Sequence, residues 1–191
     1  NKNWKHDKKE TRIKNNHRII MNIAVLASTN GTDLQAIIDE MEAGKMPGIN
    51  LKLVASNKEC PALERAKKHK IPTLYIDPEN KSREEFDQLL IHALQAEKID
   101  LIVLVGYMRI LTPEFIKTFP KRIINVHPSL IPKYSGRDFY GKSVHEAVLA
   151  NHETETGMTI HYVDEGVDTG EIILQKSCPI TPQDTPETLK K

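Results

Sequence analysis

Five consecutive residues, Leu101-Ile102-Val103-Leu104-Val105, constrain the fold more than any other segment of the chain. Successive side chains of a strand point to opposite faces, so an unbroken apolar run must be covered on both. Such a strand belongs in the middle of a sheet that carries helices on either side. The surrounding pattern agrees. Asn22–Ala27 is a short apolar run, followed by polar residues 28–32 and an amphipathic stretch from Asp33 to about Met41. There Leu34, Ile37, Ile38 and Met41 recur at helical spacing. Leu51–Ser56 predicts a second strand, Pro61–Lys70 a charged helix with Ala62, Leu63 and Ala66 on one face, and Thr73–Ile76 a third strand. Ser82 predicts an N-cap, with Glu84 and Glu85 in the first turn of a helix running to about Lys98. Thr112-Pro113-Glu114 opens another helix and Arg122–Val126 another strand. The alternation predicts the α/β class, with a doubly wound, mostly parallel sheet. From Thr156 the pattern changes: Met158–Val163 and Glu171–Pro179 read as two strands joined by a loop, an antiparallel C-terminal end.

Charge divides the chain in two. The whole carries 27 basic and 26 acidic side chains. Residues 1–20 hold seven basic against two acidic ones, and residues 21–191 hold 20 against 24. A basic tail therefore precedes a mildly acidic body. Residues 1–20 lack the apolar centre of a secretory signal and read as upstream or non-native sequence, with Met21 as the expected start. Residues 21–191 read as one domain. With 39% hydrophobic residues the body can bury a core, and no apolar run approaches the roughly 20 residues of a membrane span. Cys60 and Cys178 are isolated, which suits a reducing, cytoplasmic setting. The acidic body and 5% aromatic content argue against nucleic acid as a partner.

Ligands of open α/β sheets bind beyond the carboxyl ends of the strands, and three polar clusters fall at such ends. The first is Ser28–Asp33, between the first strand and first helix. It reads either as a turn with a helix cap or as a cradle whose amides and helix dipole hold a phosphate. The second is Asn125-Val126-His127-Pro128-Ser129-Leu130-Ile131-Pro132. Asn125 and His127 lie two apart on a strand and so share a face. An amide donor beside an imidazole suits a carbonyl oxygen gaining charge while a proton moves nearby. The third is Asp164-Glu165-Gly166-Val167-Asp168-Thr169-Gly170, either a plain turn or the source of a carboxylate that orients a histidine. His69, His92, His145 and His152 lie in helix-like charged stretches and are expected at the surface; His161, within a strand, is expected to be a core or half-buried histidine. There is neither an HExxH motif nor a His/Cys cluster, so no metal site is expected.

Taken together, Asn125 and His127 in NVHPSLIP and Asp168 in VDEGVDTGEI resemble the Asn/His/Asp set of the folate-dependent formyltransferases. The opening MNIAVL followed by NGTDLQAI is similar to the phosphoribosylglycinamide formyltransferase members. The resemblance covers essentially all of residues 21–191 and implies a Rossmann-like formyltransferase fold. It implies formyl transfer from 10-formyltetrahydrofolate, as co-substrate, to the amine of glycinamide ribonucleotide. Gly31, Thr32 and Asp33 match the loop that binds the ribonucleotide phosphate. Asp33 stands where the family often has Asn; as an N-cap, its carboxylate is expected to turn toward the helix amides. Arg83, Met108, Arg109, Ile110 and Leu111 match folate-contacting positions, as does Asn125. Asp164, Glu165, Gly166, Val167 and Asp168 match the loop around the pterin.

The resemblance also implies roles. Asn125 would donate to the oxygen of the transferring group, and His127 would stabilise that oxygen and help protonate the departing nitrogen. Asp168 would support His127 or, through water, take the proton of the attacking amine. Small-molecule substrates, no membrane, and a monomer or a dimer are expected. The sequence ends at Leu189-Lys190-Lys191, near the start of a helix that the family continues. Methionyl-tRNA formyltransferase and formyltetrahydrofolate hydrolase share the Asn/His/Asp set and stand as the alternative activities.

Overall fold

The computed structural model describes residues 20–190; the basic tail lies almost wholly outside the described residues. Among the described residues seven strands form one sheet in the order β3-β2-β1-β4-β5-β6-β7. They are β1 (Met21–Ala27), β2 (Ile49–Ser56), β3 (Thr73–Tyr75), β4 (Leu101–Val105), β5 (Ile123–His127), β6 (Glu155–Tyr162) and β7 (Ile172–Pro179). The first five run parallel, and β6 and β7 add antiparallel to β5 and to each other. The all-apolar β4 is the central strand, as its two-faced character requires.

Among the described residues six helices accompany the sheet: α1 (Thr32–Glu42), α2 (Pro61–Lys68), α3 (Arg83–Ala96), α4 (Pro113–Thr118), α5 (Lys142–Ala150) and α6 (Pro186–Leu189). Alternation along the strands sorts the core into two layers. Ala24, Leu26, Ile102, Leu104 and Ile123 face α3 and α4, packing on Phe86, Leu90, Leu94 and Phe115. Ile23, Val25, Val103 and Val105 face α1 and α2, packing on Leu34, Ile38, Ala62 and Ala66. Ser82 caps α3 in a reciprocal box with Glu85, and Thr112 caps α4 ahead of Pro113.

Several boundaries differ from the sequence reading, for local reasons. The helix expected to reach Lys70 ends at Lys68, because Lys70 adopts φ 59° and the Ile71 amide returns to the Ala66 carbonyl. Lys98 at φ 51°, with the Ile99 amide on the Leu94 carbonyl, closes α3 the same way. β6 begins at Glu155 rather than near Met158. Gly157 hides that start in the sequence, yet it is required there, since a Cβ would collide with the Lys176 carbonyl of β7. His145, expected at the surface, lies in α5 only 5% exposed. Burial and the nearby Lys190 charge push its pKa below the ordinary histidine value. All eight residues of β7 are exposed. No helix among the described residues is long and apolar enough to cross a membrane.

The two-layer core gives a direct stability test. Ile102, fully buried at the sheet centre, should cost about 2–5 kcal/mol when truncated to alanine. Urea unfolding should show a lower midpoint at an unchanged slope.

Candidate active site

The sheet order reverses between β1 and β4, so the loops leaving those strands meet at a switch point. The Ser28 amide donates to the Gly106 carbonyl at 3.1 Å, and the Ser28 hydroxyl accepts from the Met108 amide at 3.2 Å. Gly106 needs its glycine: φ is 58° and a Cβ would sit 2.5 Å from the Thr29 hydroxyl. In the first loop the cap position of α1 is held by Gly31 at φ 67°, with no side-chain cap. Asp33 is therefore not the N-cap expected from sequence. It sits in the first turn as a partly exposed residue whose carboxyl is pushed above the ordinary value by burial, against the pull of the Lys190 charge, and the turn's amides are left without a side-chain acceptor. A Cβ on Gly31 would come within 2.8 Å of Ala62, so the loop is pressed against α2. Arg65 of α2 holds the Asn30 carbonyl at 2.8 Å and the Gln35 side chain at 3.2 Å. Nothing in the charged pattern of α2 singled Arg65 out.

Arg83 opens α3 and reaches the Leu111 carbonyl at 3.0 Å, shaping the segment after β4. In that segment Met108 and Ile110 are exposed, Leu111 is buried, and the Arg109 guanidinium lies 4.0 Å from the Phe86 ring centroid. The Asp164–Asp168 loop joins β6 to β7. Asp164 accepts from the Gly166 amide and the Thr169 hydroxyl, and exposed Glu165 pairs with Lys117 at 3.6 Å. Gly166 and Val167 carry the turn to Asp168, whose φ of 58° swings its carboxylate back over β5.

There the sequence-predicted set comes together. Asp168 Oδ2 lies 3.4 Å from His127 Nδ1 and accepts from the Gly136 amide at 3.0 Å. Asp168 Oδ1 lies 3.4 Å from Asn125 Nδ2. His127 Nε2 donates to the Tyr134 carbonyl at 2.7 Å, which leaves Nδ1 as the ring nitrogen that faces Asp168. His127 is buried at 4% exposure.

His161 is the member that sequence reasoning placed in the core without linking it to the site. It is buried and pairs with Asn125 across β5 and β6. Its Nδ1 donates to the Tyr162 carbonyl at 2.8 Å, and its Nε2 accepts from Asn125 Nδ2 at 3.1 Å. Asp168 Oδ1 stands 3.5 Å from the same Nε2. Burial disfavours a charged His161, but the Asp168 carboxylate and the Tyr162 carbonyl outweigh it and raise its pKa above the ordinary value. Burial likewise works against ionised Asp168, and the bonds from His161 and the Gly136 amide, with the His127 charge, overcome it and lower its pKa. Asn125 thus favours the neutral ring and Asp168 the charged one. The shorter Asn125 contact describes the neutral state. Protonation would turn an N–H toward the Asn125 amide and break that bond. The signal available in the sequence was the two-residue spacing of Thr159 and His161, which mirrors that of Asn125 and His127.

Among the described residues no group of three or more His, Cys, Asp or Glu side chains is placed to hold a metal ion. A cavity of about 280 Å³ lies at the opposite end of β4 and β5, beside Lys98 and Arg122. It shares no residue with the Asn125–His127–Asp168 set.

A family model described as "Formyl transferase" matches residues 21–191. The chain belongs to the formyl transferase family. It is 40% identical over 169 residues to "Phosphoribosylglycinamide formyltransferase" of Haemophilus influenzae, covering 88% of this chain and 77% of that protein. It is 44% identical over 170 residues to "Trifunctional purine biosynthetic protein adenosine-3" of Drosophila pseudoobscura pseudoobscura, covering 87% of this chain and 12% of that much longer protein. Among solved structures it resembles glycinamide ribonucleotide transformylase 1 from Symbiobacterium toebii, with a TM-score of 0.82 and 38% identity, covering 90% of this chain and 79% of that one.

The opposed shifts at Asp168 and His161 set a pH window. The lowered Asp168 pKa contributes stability that is complete above the ordinary carboxylate value of about 3.9 and lost as pH falls through the lowered one. The raised His161 pKa contributes stability that is complete below about 6.5 and lost as pH rises through the raised one. In a ¹⁵N-NMR titration His161 should have its midpoint above about 6.5, and Asp168→Asn should move that midpoint down.

Proposed function

We propose that this chain transfers a formyl group from 10-formyltetrahydrofolate to the amine of N1-(5-phospho-D-ribosyl)glycinamide, a step of purine biosynthesis. The observation that carries the reading is the convergence of Asn125, His127 and Asp168 at the end of β5, in a chain of the formyl transferase family. The folate supplies an activated formyl group on N10. Asn125 Nδ2 has two N–H bonds, one on His161 Nε2 and one on the 3.4 Å contact to Asp168. The longer contact is the weaker one, and Asn125 gives it up to donate to the formyl oxygen as that oxygen gains charge. His127, fixed by the Tyr134 carbonyl, presents Nδ1 to stabilise the same oxygen and to protonate the departing nitrogen. Asp168 balances the charge on His127 and takes the amine proton through water.

The remaining sequence-predicted residues take supporting parts. Gly31, Thr32 and Asp33 form the phosphate cradle; the uncapped first-turn amides of α1 and the positive end of its dipole suit a dianion. Met108 and Ile110 offer an apolar shelf to a flat ring, and Arg109, Leu111 and Arg83 hold that shelf in place. Residues 164–168 close over the ring from the β6 side.

The test compares glycinamide ribonucleotide, initiator tRNA and water as acceptors from 10-formyltetrahydrofolate. Transfer to the ribonucleotide is expected; transfer to tRNA alone, or hydrolysis alone, would overturn the reading. Asn125→Ala should lower kcat by about 10²–10³-fold, as loss of one oxyanion donor does. A loss of less than tenfold would remove Asn125 from that role.

A further inference from the structure

Gly31 leaves the loop before α1 with a choice that its own sterics do not make. A Cβ there would come within 2.8 Å of Ala62, so the crowding demands glycine. Glycine populates φ of either sign with similar ease, however, so the residue itself does not decide which way the Asn30–Gly31 peptide unit faces. The direction matters beside the uncapped start of α1. The carbonyl and N–H of a trans peptide point in opposite directions, so one orientation offers an anion an N–H and the flipped one a carbonyl oxygen.

Helix α2 makes the choice. The Ala62 amide donates to the Thr29 carbonyl at 3.3 Å, and Arg65 Nε donates to the Asn30 carbonyl at 2.8 Å. Two successive carbonyls are thereby drawn toward α2, and neither the Asn30 nor the Gly31 amide has an acceptor among the described residues. The Arg65 guanidinium is itself held in place. Its Nη1 donates to Gln35 Oε1 at 3.2 Å, while Gln35 Nε2 is turned to Asp39 Oδ1 at 2.8 Å and to His69 Nε2 at 3.1 Å. His69 Nδ1 donates to the Glu42 carboxylate at 2.7 Å, which leaves Nε2 to accept from Gln35. A relay of side chains between α1 and α2 thus ends on one backbone oxygen of the loop.

On the proposed phosphate role of residues 31–33, we infer that Arg65 is a positioning residue for the anionic end of the substrate. By holding the Asn30 carbonyl it turns the Gly31 amide to the side away from α2, so that the loop meets the anion with N–H groups and not with a carbonyl. Arg65 acts through the loop, since its Nε and Nη1 are committed to Asn30 and Gln35. What it sets is the population of the binding-competent loop, and apparent affinity falls in proportion to that population. The planar fork is the necessary feature: a lysine ammonium carries the same charge but lacks the two fixed donors that reach both oxygens.

The test is a ¹⁵N-NMR titration with ribose 5-phosphate, and with ribose as the control that lacks the anion, on the wild type, Arg65→Gln and Arg65→Lys. Arg65 is only half-buried, so neither change opens the core. Ribose 5-phosphate should shift the Gly31, Thr32 and Asp33 amides of the wild type saturably, and ribose should not. Both variants should weaken that binding by about tenfold, the scale of one charged hydrogen bond. In formyl-transfer assays KM for the ribonucleotide should rise by a similar factor, while kcat and KM for 10-formyltetrahydrofolate stay within about twofold. Wild-type affinity in either variant, a loss confined to kcat, or an equal rise in both KM values would overturn the role of Arg65 and leave the cradle standing. Absence of a saturable shift in the wild type would overturn the cradle itself, and the role of Arg65 with it.

Discussion

The register between β5 and β6 is the constraint on which the rest of the site depends. Asn125 stands opposite His161 and His127 opposite Thr159, so four polar side chains share one face of the sheet. A slip of one residue would turn His161 and Thr159 to the far side and dissolve every contact they make. Thr159 shows how much hangs on it. Its hydroxyl donates to the Ser129 carbonyl at 2.6 Å and accepts from the Ile131 amide at 3.1 Å, clamping the turn after His127. Gln175 of β7 reinforces the clamp, bonding the Ile131 carbonyl and the Thr159 hydroxyl. The same turn delivers the Tyr134 carbonyl, which also accepts from Ser129, to His127. The orientation of one imidazole is thus inherited from strand pairing.

The parallel and antiparallel parts of the sheet divide the work. The parallel part is buried on both faces and supplies two loops at the switch point, tied together through Ser28. Its contribution is mostly backbone: uncapped amides at α1 and a close loop crossing that tolerates only glycine at position 106. The antiparallel part supplies side chains that titrate. Asp168, carried on a left-handed residue between β6 and β7, is the point where the two hairpin strands and β5 meet electrostatically. Non-glycine residues in that conformation are uncommon and concentrate where a side chain must be aimed.

Most of this architecture was legible in the sequence, because hydrophobic period and capping chemistry are local. The two-faced run at 101–105 marked the sheet centre, and Ser82 and Thr112 marked helix starts. Asn125, His127 and Asp168 were legible through their motifs. What stayed hidden was set by tertiary contact. His161 looks like any strand histidine until β5 lies beside it, and Arg65 looks like surface charge until the loop at Asn30 folds against α2. Asp33 was misread because an acidic residue after Gly-Thr resembles a cap. The left-handed Gly31 takes that position instead, which a pattern of residue types does not reveal. His145 was misread for a related reason: a charged neighbourhood in sequence says little about which helix face turns inward.

The exposed strand β7 has a consequence for how this sheet can be extended. At the other border β3 is three residues long and offers little to build on. Along β7, eight residues keep one row of backbone groups without a strand partner among the described residues, with Ile172, Ile173 and Leu174 open to solvent at its beginning. Lys176 and Pro179 interrupt the later half, a charge and a missing donor of the kind that stop a further strand from adding. Growth of the sheet by another chain or segment is therefore directional. It is open beside the turn that carries Asp168 and closed toward the far end, so any strand that adds to this border must do so next to that carboxylate.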